Sequence, residues 1–472
     1  MDKKLILRNV LFASVLAMAV AVAWVLQRRE APCDCCGGVN GEIAMPMPQL
    51  PPVQNPPVTA APAGVWDFPS LHLTTTYDPF AVERGFWHDA VLSINGAVDA
   101  FLMDDANVRL RGRGNSTWLH GEEKRPLRLR FEEPVSLFGA PATAQDWVLI
   151  ANLFDMTLMR THLAFHLGDA LGTFPWTPFS RMVHVYINGA YQGIFQLADE
   201  RDNHPARANL TFNADPTLSE FLLEIDGSAE SRDRRLAEGE VENVDFTFVN
   251  GWVIDVRYPR FNRRHGHLDE LQNFLYRVDA AIKAHDFAAL ERLVDIPSLV
   301  DFYLVQEWFK DIDGGDRSIF MQLMGTGDAR RLYFGPLWDF DRSAGNLAFW
   351  NTPEFIYIGH YNSWFADLMD TPEFRALAAT RWREIRHNQV MQTLAYAAYL
   401  LEHYETVFDR NFERHDHIFA PDGREAGTEP TWFWLVPEVV QELHSFRAQV
   451  EFMMAWLYAR ANWLDGYFAQ IG

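Results

Sequence analysis

The period of apolar and polar positions changes once along the chain. Between Leu71 and about Pro259 the apolar runs are short and alternating. Leu127-Arg-Leu-Arg-Phe131 sets Leu127, Leu129 and Phe131 on one side and Arg128 and Arg130 on the other, which predicts a half-buried strand. Val108–Leu110 leads into the turn residues Arg113-Gly114-Asn115-Ser116. Val183–Ile187 and Tyr191–Leu197 flank Asn188-Gly189, a hairpin signal because type I′ turns need positive φ at both central residues. Phe221–Ile225 and Trp252–Val256 predict further strands. Beyond His267 the period is helical. Leu271, Phe274, Leu275, Val278 and Ile282 form one stripe over Leu268–Ala284. A helix opens at Asp295 or Ser298, with Pro297 early, and runs through Phe309; Pro372–Arg386, Val390–Tyr404 and Pro437–Tyr467 are also helical. The pattern predicts an α+β, bilobal fold, β-rich to about residue 260 and α-rich from about 265, with a site in the cleft between the lobes.

The first residues are of another kind. Asn9–Leu26 is uncharged and mostly apolar over 18 residues, enough for one membrane-spanning helix. Lys3, Lys4 and Arg8 before it and Arg28 and Arg29 after it favour the N-terminus inside, so the folded region would be membrane-anchored and extracytoplasmic. A cleaved signal peptide is the alternative, with Ala21-Val22-Ala23 as a small-residue cleavage site. Residues 1–30 are thus an anchor or signal. Residues 31–66 hold the only cysteines, Cys33, Cys35 and Cys36, and the Pro-rich spacer Met45–Pro62. The folded region, 67–472, has no internal disulfide.

Charge narrows the function. The formal net charge of −22 divides into +3 over the first 30 residues and −25 over the rest, which excludes a broad phosphate-binding face and hence a nucleic-acid partner. Five of the 41 basic residues are lysine: Lys3, Lys4, Lys124, Lys283 and Lys310. No Walker A, Gly-x-Ser-x-Gly or His-Glu-x-x-His pattern occurs.

The densest polar stretch is Lys310-Asp-Ile-Asp-Gly-Gly-Asp-Arg-Ser318, followed by Gly335-Pro-Leu-Trp-Asp-Phe-Asp341. Strands at Ser318–Gln322 and Leu332–Phe334 would form a hairpin and bring Asp313 and Asp339 to one end. Carboxylates converging there can hold a divalent cation or act as base and stabiliser; capping and turn formation is the purely structural alternative. Arg109-Leu-Arg-Gly-Arg-Gly-Asn115 is either a phosphate-facing loop or a solvated turn. His184, on a strand, reads as structural.

Arg111-Gly-Arg-Gly-Asn-Ser-Thr-Trp118 followed by Lys124-Arg-Pro-Leu-Arg-Leu-Arg-Phe131 resembles the spore coat protein H (CotH) kinase family. The resemblance continues through Trp147–Arg160, Asn188-Gly-Ala-Tyr-Gln-Gly-Ile-Phe-Gln-Leu-Ala-Asp-Glu200, Asp313 with Ser318, Trp338-Asp-Phe-Asp341 and Arg447–Asp465. It implies a protein-kinase-like fold and transfer of phosphate from ATP to a protein substrate with Mg²⁺ or another divalent cation, though some relatives are regarded as bacterial surface proteins. It further implies Asp313 as the residue orienting the acceptor hydroxyl, Asp339, Asp341 and Ser318 as metal ligands, and Arg111, Arg113, Gly114, Arg128, Arg130 and Glu200 around the nucleotide. Where many members end the strand in Lys, this chain has Arg130. A non-catalytic coat-assembly or binding protein that kept the fold is the alternative.

Overall fold

The computed structural model describes residues 49–53, 67–77, 86–96, 101–114, 116–120, 124–228, 244–247, 251–259, 266–347, 352–419 and 436–471. The expected membrane span, the cysteines and most of the Pro-rich spacer lie outside the described residues. Among the described residues no helix is long and apolar enough to cross a membrane.

Alternation in the first half builds a closed barrel. Its strands are β1 (Ser70–Thr74), β2 (His88–Asn95), β3 (Met103–Gly112), β4 (Leu127–Val135), β5 (Ala144–Ile150), β6 (Ser180–Ile187) and β7 (Ala190–Asp199), in the order β1-β2-β3-β4-β5-β7-β6. Parallel pairing of β1 with β6, Leu71 opposite Val185, closes it. The inward residues, among them Leu71, Leu110, Leu129, Trp147 and Phe195, form their own core. Hairpin β6–β7 turns at Asn188 and Gly189, with φ of 51° and 81°, as its dipeptide requires.

The outer barrel face is treated differently on its two sides. On β5, β6 and β7 the outward Val148, Met182, Ile194 and Ala198 pack into a second, larger core, so these strands are buried on both faces. On β3 and β4 the outward positions carry Arg109, Arg111, Arg128 and Arg130, and alternation stays strict because that side is open. Between them the short helix α1 (Ser116–His120) lays Trp118 flat against Gly112, leaving no space for a Cβ. A Gly112→Ala variant is expected to lose about 1–3 kcal/mol to overpacking, read as a lowered midpoint in urea.

The second sheet has the order β12-β11-β8-β10-β9, from β8 (Phe221–Ser228), β9 (Val244–Thr247), β10 (Trp252–Tyr258), β11 (Ile319–Met324) and β12 (Arg331–Phe334). It thus recruits the β11–β12 hairpin from the otherwise helical half. The helices are α2 (Arg160–Leu171), α3 (His267–Lys283), α4 (Phe287–Glu291), α5 (Ile296–Phe309), α6 (Ile358–Tyr361), α7 (Ser363–Asp370), α8 (Pro372–Arg386), α9 (Gln389–Phe419), α10 (Glu438–Gln441) and α11 (Phe446–Ile471). Asp295 caps α5, its side chain accepting from the Ser298 N–H, with Pro297 in the first turn. Every residue from Ser298 to Phe309 is buried, so α5 is the axis around which the larger core is built.

Two helical expectations change. The Val390–Tyr404 helix runs on to Phe419. The expected Pro437–Tyr467 helix is broken after Gln441, where Gln449 Nε2 donates to the Val440 and Leu443 carbonyls and satisfies groups that a continuous helix would have used itself. His184 is buried, bonded to Tyr191 and Asp67.

Candidate active site

The site begins where α5 ends. Lys310 closes the helix with φ 52°, and its ammonium turns to the Thr352 and Glu354 carbonyls, at 2.7 and 3.0 Å. Burial lowers that ammonium to about 7. The next residue, Asp311, is buried, and Asp313 opens a 3₁₀ turn with its side chain half-buried. Four contacts fix this turn. The Arg317 N–H donates to the Asp313 carbonyl at 2.8 Å, Asn362 Nδ2 to the Gly315 carbonyl at 3.0 Å and the Tyr357 hydroxyl to the Ile312 carbonyl at 3.1 Å. Gly314 sits against the Gln306 side chain, where a Cβ would collide.

From the other strand of the hairpin the chain passes Trp338 to Asp339, whose backbone is left-handed at φ 67°. Such strain in a non-glycine residue costs on the order of 1 kcal/mol and must be held by its surroundings. Here α2 holds it. Thr161 Oγ1 accepts from the Phe340 N–H, Arg160 donates to the Ser343 and Ala344 carbonyls, and Asn346 donates to the Asp341 and Phe154 carbonyls. Arg160 is itself locked by the buried Asp155. Ser318 Oγ donates to Asp339 Oδ2 at 3.4 Å, joining the two ends of the hairpin.

Four carboxylates therefore share one region, and the guanidiniums of Arg113, Arg201 and Arg342 offset their charge only in part. Burial, then repulsion from Asp313, raises Asp339 from 3.8 to about 6. Burial and repulsion from Asp313, Asp339 and Asp341 push Asp311 well above the carboxylate range; the Asp313 N–H offsets this only in part and makes no hydrogen bond of full geometry, so both Asp311 oxygens are buried without a partner. Burial and the Asp339 charge do the same to Asp341. Unpartnered buried oxygens and mutually raised carboxyls fit a divalent cation. Among the described residues no three His, Cys, Asp or Glu side chains converge tightly enough to cage an ion alone. Mg²⁺ does not need such a cage, since it is held by one or two carboxylates with waters and phosphate oxygens completing its shell.

Facing the acids is a set of guanidiniums. Arg201 stacks on Trp338 and Phe320, at 4.5 and 5.0 Å, and Arg113 lies 5.6 Å from the same Trp338 ring. Glu200 is the hub. Burial alone would raise it, but Arg128 (at 3.3 Å), Arg201 and Arg113 hold it far below the carboxylate range. Burial and repulsion from Arg201 lower Arg113 to about 10. Glu224, in mid-strand on β8, meets Arg201 at 3.5 Å and also pairs with Arg257.

Of the residues singled out in the sequence, Asp313, Asp339, Asp341 and Ser318 come together, Arg113 acts on Asp339 from the Glu200 group, and Arg128 is tied to that group through Glu200. Gly114 is exposed with φ 82°. Arg111 and Arg130 lie further along the barrel face, where Asp146 takes Arg130 at 2.8 and 2.9 Å. Lys124 is buried under α9, donating to the Ile194 carbonyl and Asn411, and takes no part. Sequence reasoning missed Asp311, Arg201, Glu224 and the stacking role of Trp338. The available signal was charge where the pattern demands burial: Glu224 interrupts Phe-Leu-Leu-Glu-Ile, and Asp311 follows the Trp308-Phe309 helix end after a single residue.

Comparison with curated proteins finds no match. The barrel strand that carries the arginines and the helix that closes the fold mark the two ends of the match to the family model described as CotH kinase protein, residues 110–464, and the chain belongs to that family.

Proposed function

We propose that the chain is an ATP-dependent, protein-kinase-like phosphotransferase that moves the γ-phosphoryl group to a protein hydroxyl with Mg²⁺ or another divalent cation. Asp339, with Asp341 and Ser318, would hold the cation. When bound, the cation neutralises the phosphate charge that the carboxylates would otherwise repel. Arg113 and Arg128 face the phosphates, Glu200 aims Arg128, and the Arg111–Gly114 loop borders them; Arg130 is occupied by Asp146. Asp313 orients the acceptor hydroxyl and takes its proton as the new P–O bond forms and the bond to the β–γ bridging oxygen breaks, releasing ADP. Asn9–Leu26 would tether the domain to a membrane, facing out of the cytoplasm.

The carrying observation is the carboxylate cluster, its charge only partly offset, set against the Arg113–Arg201–Glu200 group. A second reading, a non-catalytic assembly or binding protein, is favoured by one feature: the cations beside the acids are arginines, Arg113 and Arg201, Arg128 is already paired with Asp146 and Glu200, and among the described residues the Lys124 and Lys310 ammoniums are turned to carbonyls elsewhere. Incubating the chain with γ-labelled ATP and Mg²⁺ or Mn²⁺ separates the two. Label on protein hydroxyls is the expected result. Thermal stabilisation by Mg-ATP without any label transfer would establish the second reading instead.

A further inference from the structure

Arg201 is clamped on both faces but only loosely paired at its edges. Its guanidinium lies between the Trp338 and Phe320 rings, 4.5 and 5.0 Å from their centres. Rings on both faces fix the plane of the guanidinium and leave its in-plane N–H groups for other partners. The acids that meet those groups are distant. Nε stands 3.9 Å from Glu200 Oε1, and this buried N–H makes no hydrogen bond. Nη1 reaches Glu224 Oε1 only at 3.5 Å. Both glutamates have nearer cations. Arg257 Nε donates to Glu224 at 2.5 Å, and Arg128 Nε lies 3.3 Å from Glu200. The glutamates therefore orient Arg201 without saturating its donors. Its place is set by the chain on either side. The residue after Trp338 is Asp339, and the Arg201 charge is among those that draw the Asp339 carboxyl down against burial. Phe320 lies on β11, two residues beyond Ser318, whose hydroxyl reaches Asp339.

We propose that Arg201 binds the γ-phosphoryl group of the nucleotide, a role that rests on the phosphotransferase assignment. A cation held by Asp339 bridges β- and γ-phosphoryl oxygens, so a guanidinium beside Asp339 is beside those oxygens too. Its side of the site selects the terminal group. Arg128 is on β4 and Arg113 follows β3, both on the barrel. Arg201 instead touches the second sheet, through Phe320 of β11 and Glu224 of β8. The chain enters β11 directly from the Asp313 turn. Of the three guanidiniums, Arg201 is thus the one on the acceptor's side, where the transferred group must lie. Phosphate oxygens also suit it better than the glutamates do, since two of them can meet adjacent in-plane donors at short distance. A lysine would supply the charge without that planar fork. Arg201 forms no bond to phosphorus; it donates N–H groups to the oxygens that carry charge while the bond to ADP breaks. Its sequence position, directly after Glu200, gives a chain with few lysines a cation at the point where charge develops.

The test is calorimetric titration of the full chain, with Mg²⁺, by ADP and by β,γ-methylene-ATP, whose bridging carbon prevents transfer. The two probes differ in the γ-phosphoryl group. Arg201→Gln is expected to weaken the ATP analogue at least about tenfold and ADP by less than about threefold. Arg201→Lys keeps a cation beside Glu200 and Glu224, so it serves if the Gln variant does not fold, and the same selective loss is expected. A residue that merely supported the fold of the site would move both nucleotides together. Equal weakening of the two, or no weakening of the analogue, overturns the role of Arg201 and leaves the phosphotransferase assignment standing. Failure of the unaltered chain to bind either nucleotide defeats both.

Discussion

Asp339→Asn is expected to lower label transfer from ATP by about 10³-fold while making the metal-free protein more heat-stable than the unaltered chain. The two effects have one cause. Asp339 is held at about 6 in the fold against an ordinary value of 3.8. Between about pH 4 and pH 6 the native chain therefore keeps a proton that the unfolded chain has released. Stability falls as pH rises through that window and stays low above it. Asparagine cannot titrate and tolerates the left-handed φ of 67° at least as well as aspartate, so the variant escapes the fall. Thermal melts at about pH 7.5 with EDTA, where the carboxylate would be fully charged, read the gain. Added Mg²⁺ should stabilise the unaltered chain and do little for the variant. Asp313→Ala should also abolish transfer, since the residue that takes the acceptor proton is gone. If Asp339→Asn keeps its activity, or melts lower without metal, the carboxylate cluster is not a cation site.

What the sequence makes legible in this molecule is local. The Asn188-Gly189 turn, the strict alternation of Leu127–Phe131, the Asp295 cap and the β11–β12 hairpin each depend on neighbours within a few residues, and each is present. The hairpin also explains why Asp313 and Asp339 could be expected at one end. Barrel closure could not be read, because β1 meets β6 across more than a hundred residues and no local pattern specifies a parallel partner. The same holds for the basic side of the site. Arg201 looks like an ordinary charge after a strand until Trp338 and Phe320 are brought to its two sides. The partner of Arg130 is equally non-local: only the β4–β5 register sets Asp146 directly opposite it.

Arg460→Met is expected to cost about 3–5 kcal/mol, the largest stability loss of any single change considered, and the reason lies far from the reacting atoms. Arg460 of α11 and Glu307 of α5 are both fully buried, 2.8 Å apart. Arg460 also donates to the Glu307, Pro353 and Phe355 carbonyls. Glu307 in turn accepts the N–H groups of Tyr357 and Gly359, at 2.9 and 2.7 Å. Burial raises the Glu307 carboxyl and lowers the Arg460 guanidinium despite their contact, so desolvation outweighs attraction on both sides. Such a pair adds little net stability, but breaking it leaves a buried charge alone. The double variant Glu307→Gln/Arg460→Met removes both charges and should recover most of the loss in urea titration. Activity should not recover with it. The pair ties the 353–359 segment to the end of α5, and the Tyr357 hydroxyl in that segment holds the Ile312 carbonyl at the Asp313 turn. In the double variant the fold stands but the turn is less firmly placed, so kcat at saturating ATP should stay depressed while KM for ATP changes little, because the Arg113–Glu200 group is untouched. Full recovery of kcat together with stability would mean that Asp313 does not need this anchoring, and a single-variant cost below about 1 kcal/mol would mean that Glu307 finds another partner or is neutral in the native state.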